Sequence, residues 1–388
     1  MPLGRLFVLG SGFSLYGGLP LGRELFEHVV ARAKITSLYD NIVRPDIERF
    51  RSFKERTEGV CLEERTIDAE EFMSFLDVEH YIGLKGSDVY AEDGDRSQQL
   101  IKNLIAKTLF LAQDRMKAEQ WLPYTDFASR LQPLDVVITF NYDTILEMSL
   151  ERARVPYRLV PSRFDEVRLG YGTVKSPETE VVLLKPHGSI DWFDIAPWQH
   201  NREYFAQFPD PIPDRHPIFG RGDHFHPTPI THEPYFPDSQ LRRIHRIRNV
   251  GDYFSRGDSV TVAPLILAPS YHKLLYADPL KELWWGMDSA GSLMDTMAIV
   301  GFSLPPHDQY AVQAIYAAVR NFQHYDTGDL IRKYPLRFVD FCQSPAEREK
   351  LMERYRFVDW HRAEMDEDGF RPDAVPFLFP DGETAPEA

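Results

Sequence analysis

Leu6-Phe7-Val8-Leu9-Gly10-Ser11-Gly12-Phe13-Ser14, near the start of the chain, decides the fold. Four consecutive apolar residues without polar alternation describe a strand buried on both faces, as in a parallel sheet. The run stops at Gly10-Ser11-Gly12. Residues 21–33 then place Leu21, Leu25, Phe26, Val29 and Val30 at helical spacing. Strand, glycine-bearing loop and helix in that order form the first half of a nucleotide-binding βαβ unit. Glycines let backbone N–H groups approach a phosphate, and a helix N-terminus favours its charge. The spacing to Gly17 and Gly18 does not fit GxGxxG, and no acidic residue stands clearly at the end of a second strand. The loop therefore reads as a phosphate loop of another kind, with a structural turn as the alternative.

Further strands recur outward from this unit. Residues 134–140 run into Asn141-Tyr142-Asp143 and a helix over 144–152. Residues 181–184 run into Lys185-Pro186-His187-Gly188. Residues 264–268 and 296–300 read the same way, the latter ending at Gly301-Phe302-Ser303-Leu304, and 336–341 is the last expected strand. The expected fold is α/β: a Rossmann-like, doubly wound, mostly parallel sheet with two insertions. Ligands of such sheets lie at the carboxyl ends of the strands, so these strand ends nominate one cleft. The core is expected over 1–32, 134–195 and 259–345. Residues 33–133 read as a helical insertion with a loop around 86–99. Residues 196–258, rich in Pro and His, read as a small loop-like insertion. Residues 346–388 read as a C-terminal helix and an acidic tail, frayed or partner-bound after Met365.

Composition removes several classes. Lys and Arg number 44 against 59 Asp and Glu, a net charge of −15, so bulk charge does not favour direct nucleic-acid binding. Two cysteines, Cys61 and Cys342, cannot build a four-thiolate zinc site or a disulfide framework, which points to a reducing compartment. No apolar run approaches the ~18 residues of a membrane span, and the N-terminus lacks a signal-peptide cleavage pattern, so a cytoplasmic location is expected.

The strand ends carry the candidate chemistry. Asn141 and Asp143 suit a ligand site, although such a pair also serves as a helix cap. His187 lies between Pro186 and Gly188, in a turn that displays it at the cleft edge. An imidazole titrates near neutral pH and suits general-base work on a hydroxyl or a water. The histidines between 200 and 245 lack metal-ligand spacing. Arg242, Arg243, Arg246 and Arg248 read as a solvated helix face, or else as a docking surface.

Together these motifs resemble the sirtuin-like family. Its Gly-Ala-Gly-x-Ser loop and Gly-x-Pro are matched by Gly10-Ser11-Gly12-Phe13-Ser14 and Gly18-Leu19-Pro20. Its Asn-x-Asp is matched by Asn141-Tyr142-Asp143, its His-Gly by His187-Gly188, and its late phosphate loop by Gly301-Phe302-Ser303-Leu304. The chain is more similar still to the bacterial antiphage-defence branch. The shared features are Thr-x-Asn-Tyr-Asp, the stretch from Lys185 to Trp192, a segment like 67–76, and the Gly-Phe-Ser-Leu-Pro loop followed by Asp308. The zinc module of the protein-deacylating members is absent, as is their Asp-Phe-Arg, for which Arg23 is the nearest replacement.

The resemblance implies NAD as substrate, with no zinc, and cleavage to nicotinamide and ADP-ribose. Asn141 and His187 would be catalytic. Gly10, Ser11, Gly12, Ser14, Arg23, Asp143, Gly301 and Ser303 would bind the dinucleotide, with Asp143 on the carboxamide. It also implies an NAD-depleting antiphage effector. Uncontrolled depletion would kill the host and the sequence shows no P-loop, nuclease or sensor motif, so gating by a separate protein, such as a helicase-like ATPase or an Argonaute, is expected, and so is a homo-oligomer. The alternatives are an NAD- or ADP-ribose-binding module without turnover, and an NAD-dependent deacylase or ADP-ribosyl transferase.

Overall fold

The computed structural model describes residues 4–35, 38–63, 67–84, 94–168, 171–175, 179–208, 216–220, 224–256, 262–287, 290–325, 331 and 333–379. At its centre is a sheet of seven strands. In chain order they are β1 (Arg5–Leu9), β2 (Val136–Thr139), β3 (Tyr157–Arg158), β4 (Val181–Leu184), β5 (Thr296–Val300), β6 (Leu336–Val339) and β7 (Ala363–Asp366). Across the sheet the order is β7-β6-β5-β1-β2-β4-β3. Every pairing is parallel. The fold is the α/β, Rossmann-like, doubly wound arrangement expected from the sequence.

Burial explains the strand composition. Leu6, Phe7, Val8 and Leu9 are at most 1 % exposed, because both faces of β1 are covered. At the amino ends of β1 and β2, Asp135 accepts hydrogen bonds from the backbone N–H of Arg5 at 3.0 Å and from its Nη2 at 2.7 Å. That clamp holds the two strands in register at the edge opposite the loops. The chain leaves β1 for β2, β3 and β4 on one side and returns through β5 on the other. The loops after β1 and β5 therefore stand side by side at a topological switch point.

The stretch between β1 and β2 is helical, over Gly22–Ala33, Arg44–Glu58, Ala69–Tyr81, Arg96–Asp114 and Ala118–Arg130. Part of the expected loop over 86–99 is corrected. Asp95 and Gln98 form a capping box, so the helix starts at Arg96; residues 86–93 lie outside the described residues. No helix among the described residues is long and apolar enough to cross a membrane.

Three further expectations are corrected. Residues 264–268 are buried and extended but are not a strand of the sheet. They run along residues 187–192, with Leu267 N–H donating to the His187 carbonyl at 2.9 Å and Leu265 N–H to that of Trp192 at 2.7 Å. Pro264 and Pro269 flank the run and lack N–H groups, which limits its ladder. The region after 196 is more ordered than its prolines indicate. It contains the helix Ala196–Phe205 and the strands Thr228–Pro229 and Ile244–Arg246, which form a small antiparallel sheet with Trp192–Asp194. Arg243 and Arg246 are not on a solvated helix face; they pair with Asp194 at 2.5 Å and Asp191 at 2.6 Å.

The tail is not frayed up to residue 379. It forms β7 and the helix Ala374–Leu378. Phe370 then packs on Phe13 with ring centroids 4.4 Å apart, and Phe379 on Phe7 at 5.2 Å. Residues 380–388 lie outside the described residues.

Candidate functional site

The loops after β1 and β5 touch. Gly12 N–H donates to the Gly301 carbonyl at 2.9 Å, and Gly10 N–H to that of Val300 at 2.9 Å. A Cβ on Gly12 would stand 2.6 Å from the Gly301 Cα, and Gly301 itself has φ +59°. These glycines are there because two backbones cross. Their amides are consumed by the crossing, so a phosphate would be held by other groups of the same loops.

The turn after β2 closes over this crossing. Asn141 Nδ2 donates to the Gly10 carbonyl at 2.9 Å and to Ser14 Oγ at 3.1 Å. Ser14 Oγ donates to Asp143 Oδ2 at 2.8 Å, and Asp143 Oδ1 accepts from the Ile145 N–H at 3.0 Å. All three side chains are buried. Asp143 thus does what a cap does and braces Ser14 as well. Asn141 also lines the cleft. Below this turn, the Lys185 ammonium is buried against Glu147 at 2.7 Å and bonds the Asp143 carbonyl, which fixes the turn from within.

His187 stands at the carboxyl end of β4, 4 % exposed. It packs on Phe140 (5.0 Å), Tyr310 (5.9 Å) and Trp284 (6.3 Å), while Phe140 stacks on Phe302 at 4.4 Å. Burial, reinforced by the nearby Lys273 charge, pushes its imidazole down to about 3, so it is neutral at physiological pH. A backbone hydrogen bond to Phe140 engages the ring, whereas Nε2 is buried and has no partner.

A cleft of about 1180 Å³ joins these parts. Gly10, Ser11, Gly12, Ser14, Asn141, Asp143, His187, Gly301 and Ser303 all line it, so the structure brings together every one of the sequence-nominated residues except Arg23. Arg23 lies in the first turn of Gly22–Ala33, and its side chain is outside the described residues.

Several further residues line the cleft that the sequence did not nominate as site residues. Lys273, from a short 3-10 turn, forms a buried ion pair with Asp308 at 2.7 Å. Burial alone would raise the Asp308 carboxyl, but neighbouring positive charge holds it below its usual value. Lys273 is the neighbour that matters, because burial keeps His187 neutral. Glu70, at the start of Ala69–Tyr81, meets His307 at 2.5 Å, and burial raises its carboxyl. Arg354 donates to the Ser303 carbonyl at 2.9 Å. Among the described residues, no group of three or more His, Cys, Asp and Glu side chains is arranged to hold a metal ion.

Sheet order and cleft position thus define a doubly wound α/β protein with its site at the switch point. Within it, residues 135–215 match the model of the SIR2-like domain, the segment that carries Asn141, Asp143 and His187. Among solved structures, a sirtuin studied for the structural basis of its substrate affinity is 11 % identical, with 98 % of this chain and 93 % of that one covered and a TM-score of 0.30. A Sir2 complex with a p53 peptide and NAD+ is likewise 11 % identical over 98 % and 93 % of the two chains, at a TM-score of 0.29. Superpositions this loose transfer no residue roles. No curated protein sequence matches the chain.

Proposed function

We propose that this protein is an NAD glycohydrolase, cleaving NAD with water to nicotinamide and ADP-ribose. One observation carries the reading: His187 presents a buried, unpartnered Nε2 to a cleft at the sheet's switch point, beside the Asn141–Ser14–Asp143 network. A buried acceptor without a partner is costly, and a substrate or its water would satisfy it.

The bond from ribose to the nicotinamide ring breaks through an oxocarbenium-like state, as glycosidic bonds do. The nicotinamide ring of NAD is cationic. A neutral imidazole meets it without repulsion and accepts a proton from water or a ribose hydroxyl as positive charge leaves the ring. Asn141 Oδ1 orients the ribose or the water, and Asp143 with Ser14 holds the turn against which the carboxamide lies. Ser11 and Ser303 hydroxyls take the diphosphate, in place of the consumed glycine amides. Arg354, Lys350 and Lys34 line the same cleft and supply the positive charge.

The motif resemblance extends the proposal to antiphage defence. There the chain acts as a homo-oligomer that depletes NAD when a separate protein, such as a helicase-like ATPase or an Argonaute, triggers it.

The test is incubation of the purified chain with NAD and chromatography of nicotinamide, ADP-ribose and cyclic ADP-ribose, beside His187→Ala and Asn141→Ala. Nicotinamide and ADP-ribose are expected without any peptide, with a loss of ~10²–10⁴-fold in His187→Ala. Wild-type turnover in that variant would sink the assignment.

A further inference from the structure

Three buried polar atoms on neighbouring side chains have no hydrogen-bond partner: His187 Nε2, Asp308 Oδ1 and Tyr310 Oη. His187 Nε2 is 3.7 Å from Asp308 Oδ2, too far for a direct bond and a distance that a shared third atom spans. The Tyr310 hydroxyl lies against the Asp308 carboxylate without a well-formed bond. Asp308 stands at the N-cap position of Gln309–His324, yet its side chain does not cap that helix. It is turned instead toward Lys273 and His187.

The inventory of donors and acceptors identifies the kind of molecule these atoms suit. His187 Nε2 and the Asp308 carboxylate are acceptors, and the Tyr310 hydroxyl is a donor. A molecule satisfying all three must donate twice and accept once. Water does so and keeps a lone pair. A sugar hydroxyl has one proton and can donate to only one of His187 and Asp308.

Resting on the glycohydrolase reading, we propose that Asp308 is a second catalytic residue, which with His187 holds the attacking water, and that Lys273 is a positioning residue that holds Asp308 in place. The bond from C1′ to the nicotinamide nitrogen breaks first, its electron pair leaving with neutral nicotinamide and C1′ becoming an oxocarbenium ion, to which the water oxygen then bonds. The water proton passes to His187 Nε2, whose new charge faces the Asp308 carboxylate, and then to solvent. The sum is NAD+ and water giving nicotinamide, ADP-ribose and a proton.

The test separates bond cleavage from water capture. Exchange of labelled nicotinamide into NAD needs only cleavage and its reversal; hydrolysis needs the held water. In Asp308→Asn, hydrolysis falls ~10²–10⁴-fold, as for a lost proton acceptor, while exchange keeps the wild-type rate. Because that variant leaves Lys273 buried without its partner, Asp308→Asn with Lys273→Met is measured beside it, and the same split is expected. An unchanged ratio of hydrolysis to exchange, in whichever variant folds, overturns the role of Asp308 and leaves the function standing. Neither hydrolysis nor exchange by the wild-type chain overturns the glycohydrolase reading and this inference with it.

Discussion

Adding one methyl group at Gly12 should pull the site apart. Its Cβ would meet the Gly301 Cα at 2.6 Å, and ordinary contact begins at 3.4 Å, so the loops after β1 and β5 must separate by about 0.8 Å. The obstacle is backbone, which cannot rotate away. The Gly12 N–H bond to Gly301 lengthens with it, and overpacking of this kind costs ~1–3 kcal/mol. The separation also displaces Gly10, to which Asn141 is tied. A misplacement of ~1 Å can cost ~10²-fold in rate. Gly12→Ala should therefore lower the denaturant midpoint and reduce nicotinamide release about 100-fold. The comparison for stability is Gly22→Ala, where nothing lies within 4 Å of the new methyl; alanine there should raise helix stability by up to ~1 kcal/mol. If Gly12→Ala matched the wild type in both midpoint and rate, the crossing of the two loops would not hold the site.

Four other outcomes follow from the same geometry. The His187 imidazole falls from 6.5 to about 3 on folding, so between those values the unfolded chain binds the extra proton. Stability should then be full above pH 6.5 and fall by ~1.4 kcal/mol per unit as pH drops toward 3; His187→Gln should flatten that slope in acid denaturation. Asp135→Ala leaves Arg5 buried without its partner and should cost ~3–5 kcal/mol in a denaturant titration, with no change in NAD binding. Asn141→Ala frees the Gly10 carbonyl and Ser14; nicotinamide release should fall ~10²-fold with the circular dichroism unchanged. Phe379→Ala, in the folded tail, should cost ~3–5 kcal/mol, and a midpoint equal to wild type would mean the tail is not core.

The sequence was most legible where a buried strand ends in a turn. Leu6–Leu9 and Val181–Leu184 are apolar throughout, and Val136–Thr139 nearly so, because both faces are covered, and the glycines and polar residues after them interrupt the strand. That put Gly10, Asn141, His187 and Gly301 at one edge. Residues 264–268 show the limit of the same rule, since a buried apolar run between prolines reads as a strand whether or not a ladder is available. Tyr157–Arg158 is too short to have a period. The acids and prolines of the tail suggest fraying, whereas Phe370 and Phe379 anchor it to the core. Lys273 and Glu70 reach the cleft from segments whose periodicity says nothing of what they face. The reason for the glycines, a crossing of two backbones, required the partner loop almost 300 residues away in the chain.

That separation has a temporal consequence. Gly10 leaves the ribosome early, but Gly301 and Asp308, which complete the cleft, follow only after roughly 300 more residues have been added, on the order of 15 to 60 s at ~5–20 residues per second. Until then β1 lacks its neighbour β5 and the glycine loop has nothing to cross. A growing chain therefore cannot present the assembled site, and any power to consume a dinucleotide arises in a single late step of synthesis.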